Sequence, residues 1–160
     1  MEKQVSGDVS PYVVNNVTIC IDRLGSDVFE GRVYHEQLKK EVGFTELGMM
    51  LRLIDDMQDA FQFPEASTLT RYFGQRKRKL GEGENAMDKQ DKFENIEITE
   101  NVENGSKATF VVQIQYRQNA TWQGNVKWLE TNEEMKFRSA LELVKMIDQA
   151  MADGKEDDQE

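Results

Sequence analysis

The feature that most constrains the fold of this chain is an internal similarity at a constant spacing. Shifting the sequence by 93 positions places residues 17–58 on residues 110–151 without a gap. The aligned positions share identical residues, among them the pairs Ile21/Ile114, Gly31/Gly124 and Phe44/Phe137. Similarity at a fixed period is typical of a chain in which one supersecondary unit occurs more than once. The sequence therefore predicts two copies of one small unit.

Each copy has the hydrophobic periodicity of a β-hairpin followed by a helix. In the second copy, apolar and polar residues alternate over 110–117 and again over 122–128, as in half-buried strands. The residues between these two segments are turn formers. Apolar residues then recur every three or four positions from 137 to 151, which predicts an amphipathic helix. The first copy has the same order, with predicted strands at 17–23 and 29–35 and a helical stripe over 47–61.

A single hairpin with one helix buries too little apolar surface to be stable alone, so the two copies are expected to pack together. We predict an α+β fold in which two ββα repeats (17–58 and 110–151) share a mainly antiparallel sheet. This sheet would have four strands, with both helices packed on one face. The segments 67–73 and 95–101 could each add a strand.

The rest of the chain is predicted to be tails and a connection. A composition shift, with several glycines and few large apolar residues, marks a linker between the copies. The predicted organisation is an N-terminal tail (1–16), a first ββα repeat (17–73), the linker (74–108), a second ββα repeat (109–152) and an acidic tail (153–160).

Charge and cysteine content limit the partners and the compartment. The formal net charge is -10, which disfavours binding of nucleic acid or an anionic membrane by the whole molecule. The N-terminus has no apolar run typical of a signal peptide, and no stretch is apolar enough to span a membrane. Cys20 is the single cysteine, so an internal disulfide is impossible. These features predict a cytoplasmic protein without a membrane partner.

Several motifs resemble those of a group of small uncharacterised proteins from anaerobic Gram-positive gut bacteria. The matching stretches are a hairpin "RQNATWQG-V-W" (117–128), a helix "FRSALEL" (137–143) and an N-terminal pattern "VTICIDRL…GRVYH…QFPEA" (17–66). The resemblance covers the larger part of the chain. It implies a bacterial, cytoplasmic protein and carries no known activity.

Few residues are suited to catalysis. Cys20 and His35 are the only cysteine and histidine, and they cannot form a zinc site of the usual Cys/His type. A Cys20–His35 dyad is conceivable, but a cysteine in an apolar strand usually behaves as a small hydrophobic residue. Asp55 and Asp59 lie one helical turn apart and could bind a cation, although a solvated helix face is the commoner meaning. The sequence favours a non-enzymatic protein without a cofactor or a metal.

The predicted sheet has a polar outward face, which is the main candidate for binding. If the helices cover only one side, this face is free to contact a protein partner, a second copy or solvent alone. Trp122 and Trp128 fall on the opposite, core-facing positions. The predicted binding residues are Gln113, Gln115, Arg117, Gln123, Asn125 and Lys127, with Arg32 and Tyr34 in the first copy. The leading hypothesis is therefore an adaptor that binds another protein, and a homodimer is a further option.

A local basic cluster supports an alternative function. Five cations occur close together between positions 71 and 79, beside Tyr72 and Phe73. Bases next to aromatic residues suit single-stranded nucleic acid, whereas the simpler interpretation is a solvated loop. The cluster consists of Arg71, Arg76, Lys77, Arg78 and Lys79. The alternative is thus an accessory protein that contacts nucleic-acid phosphates through these residues.

Overall fold

A single antiparallel sheet with two helices forms the fold in the computed structural model, which describes residues 15–69, 71, 73 and 93–153. The six strands lie in the order β3-β2-β1-β4-β5-β6, so the first strand of each half of the chain is central. The elements are β1 (Asn16–Leu24), β2 (Phe29–His35), β3 (Lys40–Phe44), α1 (Leu47–Phe61), β4 (Ala108–Tyr116), β5 (Gln123–Trp128), β6 (Glu133–Phe137) and α2 (Ala140–Asp153). The predicted α+β class is confirmed.

The prediction of four strands is wrong, because each half contributes a third strand. β3 and β6 lie at the two edges of the sheet. Four of the five residues of β6 are exposed and three of the five are charged, so its sequence lacks the alternation of a half-buried strand. Charged residues at a sheet edge discourage pairing with other chains. Neither 67–73 nor 95–101 forms a strand within the described residues, although isolated bridges occur at Ala66 and Ile98.

The strand pairing of one half is repeated in the other at the spacing of 93 positions. Cys20 pairs with Arg32 in the first half, and Gln113 pairs with Asn125 in the second. At the same spacing, Arg32 lies opposite Gly43 in the first half, and Asn125 lies opposite Lys136 in the second. This spacing also relates the irregularity between Ile21 and Arg23 to that between Ile114 and Tyr116. The left-handed residues Lys39 and Asn132, which precede the edge strands, match as well.

One hydrophobic core joins the two halves. Alternate residues of the strands point into it, including Val17, Ile19 and Val112, which are fully buried. The helices add their apolar stripes, namely Met50, Leu53, Ile54 and Met57 from α1, and Leu143, Ile147 and Met151 from α2. The predicted helices are present, but Phe137 belongs to β6 and Leu141 is 63% exposed.

Helix α2 begins with a capping motif that the sequence contains as S-x-x-E. The Ser139 hydroxyl accepts a hydrogen bond from the backbone N–H of Glu142 (3.0 Å). The Glu142 carboxylate in turn accepts one from the backbone N–H of Arg138 (3.1 Å). The first bond satisfies a backbone N–H that the first turn of a helix leaves unpaired, and the second joins that turn to the residue before the cap. No described helix is both long enough and apolar enough to cross a membrane.

Candidate ligand-binding face

Strand alternation leaves one face of the sheet uncovered by the helices. On β1, Val17, Ile19 and Ile21 enter the core, so Thr18 and Cys20 belong to the opposite, open face. Cross-strand pairing then continues the open face over the whole sheet. Thr18 lies opposite Tyr34 on one side and opposite Val111 on the other. The open face therefore consists of a first half on β1–β3 and a second half on β4–β6.

The first half of the open face is covered by a segment of the chain itself. Residues 98–107, here called the strap, lie across β1 and β2 immediately before β4. The Tyr34 hydroxyl donates a hydrogen bond to the carbonyl oxygen of Thr99 (2.9 Å). The Arg32 guanidinium donates to the carbonyl oxygens of Glu103 (3.1 Å) and Asn104 (3.3 Å). Open-face side chains thus hold the strap by its backbone.

An ion pair anchors the end of the strap. Arg32 binds Asp22 through two nitrogen atoms, with N–O distances of 2.9 and 3.2 Å. The pKa of the Asp22 carboxyl is lowered, first by the hydrogen bond from Arg32 and then by a bond from the Ser106 N–H. This carboxylate accepts the Ser106 N–H at 3.0 Å. Arg32 therefore organises both the sheet face and the segment that covers it.

Arg32 and Tyr34, which were predicted to be available for binding, are therefore occupied by the strap. Tyr34 is only 8% exposed. This cover was not predicted, because residues 93–107 fall within the predicted linker. Gly105 is a sequence signal that could have indicated close approach: a Cβ there would lie 2.2 Å from the Ala108 carbonyl oxygen.

Cys20 and His35 lie on opposite faces of the sheet. Cys20 is on the open face beneath the strap, where its thiol contacts the carbonyl oxygen of Glu103 (3.4 Å). His35 is paired with the core residue Val17 and its ring packs against Phe61 on α1. Strand alternation therefore rules out direct contact between the two side chains, and the conceivable dyad is not formed.

The environments of these two residues also disfavour their charged forms. Burial raises the pKa of the Cys20 thiol to about 11, so the thiolate is scarce at neutral pH. Burial lowers the pKa of His35 to about 4. Its Nδ1 accepts the Leu38 backbone N–H (3.1 Å), and its buried Nε2 has no hydrogen-bond partner in the described structure.

The second half of the open face has no such cover from the described residues. We call the residues Asn16, Gln113, Asn125, Lys127 and Lys136 the amide face. A cross-strand row joins four of them, because Gln113 lies opposite Asn16 and Asn125, and Asn125 lies opposite Lys136. The side chains of Gln113, Asn125 and Lys127 are half-buried yet make no hydrogen bond or ion pair with any described residue. Within the part of the chain that the structure describes, no other residue uses their N–H donors.

Two further predicted residues differ from this group. Gln115 is exposed near the end of β4. The Gln123 side chain is occupied, because its Nε2 donates to the carbonyl oxygen of Gln118 (2.9 Å) and its Oε1 accepts the Gln118 N–H (3.0 Å). Of the six residues predicted on the second copy, the described residues therefore leave Gln113, Gln115, Asn125 and Lys127 uncovered.

The prediction that Arg117 lies on the open face is wrong. The register of β4 and β5 shifts between Ile114 and Tyr116, which interrupts the alternation of faces. Tyr116 is consequently 57% exposed and Arg117 is buried. Arg117 donates to the carbonyl oxygen of Pro64 (2.7 Å) and forms ion pairs with Asp55 (3.3 Å) and Asp59 (2.6 Å).

The two carboxylates on α1 therefore bind a guanidinium of the protein. Asp55 also accepts a hydrogen bond from the Trp122 ring nitrogen (3.2 Å), which confirms the prediction that Trp122 is a core residue. Within the described part of the chain, no group of three or more His, Cys, Asp or Glu side chains is placed to hold a metal ion.

A groove lies beside the strap on the open face. Its volume is about 490 Å3. Strap residues, central strand residues and the end of β5 all line it, with Val102, Thr18, Val111 and Leu129 among them. The groove therefore connects the covered first half of the open face with the edge of the amide face.

The basic cluster lies mostly outside the described residues. Arg71 is exposed, and Phe73 is fully exposed. Arg76, Lys77, Arg78 and Lys79 fall within 74–92, which the structure does not describe. The predicted tails, apart from Asn15, Asn16 and Asp153, also fall outside it.

No protein-family model, curated protein or solved structure matches this chain. The resemblance to small proteins of anaerobic Gram-positive bacteria therefore stays a prediction.

Proposed function

We propose that this chain is a non-enzymatic binding protein that contacts another protein through the amide face. One observation carries the proposal: Gln113, Asn125 and Lys127 present N–H donors that no described residue uses. A half-buried polar group that lacks a hydrogen bond is stabilised when a binding partner supplies one. The buried Cys20 and its raised pKa weigh against the alternative of a thiol enzyme.

We further infer that the sheet arose by duplication of one unit with three strands and a helix. The predicted ββα repeat is thereby enlarged to βββα. The repeated pairings, the matched irregularities and the matched left-handed residues Lys39 and Asn132 support this inference. Duplication would create two related open faces. The strap covers one of them, and the other remains for a partner.

The remaining properties fit such a role. A negatively charged protein is disfavoured from binding nucleic acid with its whole surface. A single reduced cysteine fits a reducing compartment, and we place the protein in the cytoplasm. A homodimer through the amide face is a special case of the same proposal.

Site-specific photo-crosslinking in the source cell tests the proposed function. A photo-reactive amino acid is placed at Asn125 and, as a control, at the exposed helical residue Arg52. We expect the Asn125 position to give a discrete crosslinked protein that the Arg52 position does not give. Equal crosslinking at both positions, or none at Asn125, would contradict the proposal.

The alternative function is nucleic-acid binding through the basic cluster. Its support in the structure is that Phe73 and Arg71, two positions apart in the sequence, are both exposed. Fluorescence anisotropy with labelled single-stranded RNA would test it at several salt concentrations. Binding that weakens steeply with salt, and is lost when Arg76 and Arg78 are changed to Gln, would favour this alternative.

A further inference from the structure

The strap shows how the open face of this sheet holds an extended chain. Three side chains in its first half, Cys20, Arg32 and Tyr34, contact strap carbonyl oxygens at 2.9 to 3.4 Å. Each of them can donate a hydrogen bond. The acceptors are backbone groups, so this mode of binding depends on an extended backbone more than on particular ligand side chains.

The second half presents donors at the corresponding places. Gln113, Asn125 and Lys127 lie 93 positions after Cys20, Arg32 and Tyr34. Their cross-strand relations are also the same. Gln113 lies opposite Asn125 as Cys20 lies opposite Arg32, and Val111 lies opposite Lys127 as Thr18 lies opposite Tyr34. Two amides and an ammonium group replace a thiol, a guanidinium and a phenol, and each replacing group can donate a hydrogen bond.

Charge narrows the kind of ligand. The amide face contains Lys127 and Lys136, and Glu134 lies opposite Lys127 on the neighbouring strand. The strap that binds the first half is itself acidic, and its Glu100 pairs with Lys39 at 3.0 Å. A basic patch on a chain of net charge -10 attracts an acidic segment.

The segment that precedes β1 is the part of this chain that corresponds to the strap, because the strap immediately precedes β4. Its sequence does not suit it to bind the amide face as the strap binds the first half. The strap needs Gly105, where a Cβ would lie 2.2 Å from Ala108 O and 2.6 Å from Ile21 N. The residue 93 positions earlier is Tyr12. The sequence before β1 therefore lacks the glycine that this close approach requires.

We infer that the amide face binds an extended acidic segment of a partner protein through the carbonyl oxygens of that segment. The groove beside the strap extends this surface and offers Val111 and Leu129 to an apolar side chain of the ligand. The inference rests on the proposed function and specifies its ligand class. It is continuous with an interface that the molecule already forms with its own strap.

A synthetic peptide with the sequence of residues 97–106, EITENVENGS, is a suitable probe. The capped peptide is titrated into the full-length 15N-labelled protein while the side-chain NH2 signals of Gln113 and Asn125 are followed. We expect saturable shifts at these two residues. The peptide with Gln in place of each Glu should bind more weakly, since it loses attraction to the lysines.

Matched variants assign the binding surface. Changing Gln113 and Asn125 together to Ala should weaken binding by about tenfold or more, because two hydrogen bonds are lost. Arg52→Ala, on an exposed part of α1, should leave the affinity unchanged. Unchanged backbone signals in the rest of the spectrum would show that each variant is folded.

Three results would overturn the inference. The first is no shift at millimolar peptide, and the second is shifts confined to Arg32 and Tyr34, which would indicate exchange with the strap. The third is protection of the Gln113 and Asn125 amides in the free protein, because the face would then be covered by the chain itself. If position 125 crosslinks to a partner but the peptide does not bind, the proposed function stands and only the inferred ligand class fails.

Discussion

At the scale of single residues, His35 makes the stability of the fold depend on pH. Its ring is fully buried between β2 and α1, and burial lowers its pKa from 6.5 to about 4. Between these two values the unfolded chain binds a proton that the native chain excludes. Stability is therefore intact above pH 6.5 and is lost progressively as the pH falls toward 4.

We expect protonation of the unfolded chain at His35 to lower the free energy of unfolding by about 3 kcal/mol at pH 4, relative to a pH above 6.5. Urea unfolding at pH 7.5, 5.5 and 4.5 would measure the effect. His35→Phe removes the titrating group. The carboxylates that titrate in the same pH range are present in both proteins, so the difference between the two proteins reports on His35. The variant should show a smaller loss of stability on acidification. An identical pH dependence in the two proteins would contradict the assignment.

Two glycines allow close approach of strand backbones. A Cβ at Gly31 would lie 1.9 Å from the carbonyl oxygen of Cys20, and a Cβ at Gly124 would lie 1.9 Å from that of Gln113. Neither oxygen can move without disturbing the pairing of two strands. By contrast, a Cβ at Gly43 would have its nearest neighbour at 3.7 Å, which is an ordinary contact.

Gly31→Ala and Gly124→Ala should each lower the free energy of unfolding by about 3 kcal/mol through overpacking. Gly43→Ala is the matched control in the neighbouring strand, with an expected change within about 0.5 kcal/mol. Denaturant unfolding of the three variants checks both numbers. Equal stability of Gly31→Ala and Gly43→Ala would show that the strands do not approach as described.

At the scale of elements, Arg117 connects the end of β4 to α1. Its guanidinium binds Asp55, Asp59 and the Pro64 carbonyl, while its side chain is only 4% exposed. Arg117→Met keeps most of the apolar stem and removes these bonds. We expect a loss of about 2–3 kcal/mol, below the full figure for a buried pair because the Asp55 side chain is 39% exposed and can be rehydrated.

The surface pair of Arg138 and Glu142 provides the control. The Arg138 side chain is 88% exposed in this pair, so Arg138→Met should lower the free energy of unfolding far less than Arg117→Met does. Chemical unfolding at neutral pH compares the two substitutions directly. A loss at position 117 no larger than that at position 138 would contradict a structural role for the connection.

Elements with a clear hydrophobic period could be predicted from the sequence, and others could not. β1, β2, β4, β5 and both helices follow from alternation or from helical spacing. The edge strands escape prediction because exposed, charged strands have no apolar face to reveal them. The position of Arg117 was predicted wrongly for a different reason. A shift in register between Ile114 and Tyr116 exchanges the faces, and local sequence does not show such a shift.

The candidate site was predicted only in part for a related reason. Alternation places Gln113, Asn125 and Lys127 on one face, and the structure agrees. The cover over Arg32 and Tyr34 depends on contacts between residues more than 60 positions apart, as in the bond from Tyr34 to Thr99. Periodicity carries no information about such contacts.

At the scale of the whole molecule, two halves with corresponding strand pairings share one core but differ in what covers them. The strap occupies the first open face, and the described residues leave the second one available. The proposed binding role depends on this difference, because it requires an exposed face. Cys20 and Gln113 occupy corresponding positions on the two halves and therefore allow a direct comparison.

The most direct test is the rate at which a maleimide modifies a thiol at each of these positions. One sample is the natural protein with Cys20, and the other carries Gln113→Cys together with Cys20→Ser. We expect the thiol at position 113 to react at least about a hundredfold faster, because Cys20 is fully buried and its pKa is raised to about 11. Unfolding in urea should bring the two rates together. Similar rates in the folded proteins would contradict the claim that one face is covered and the other is open.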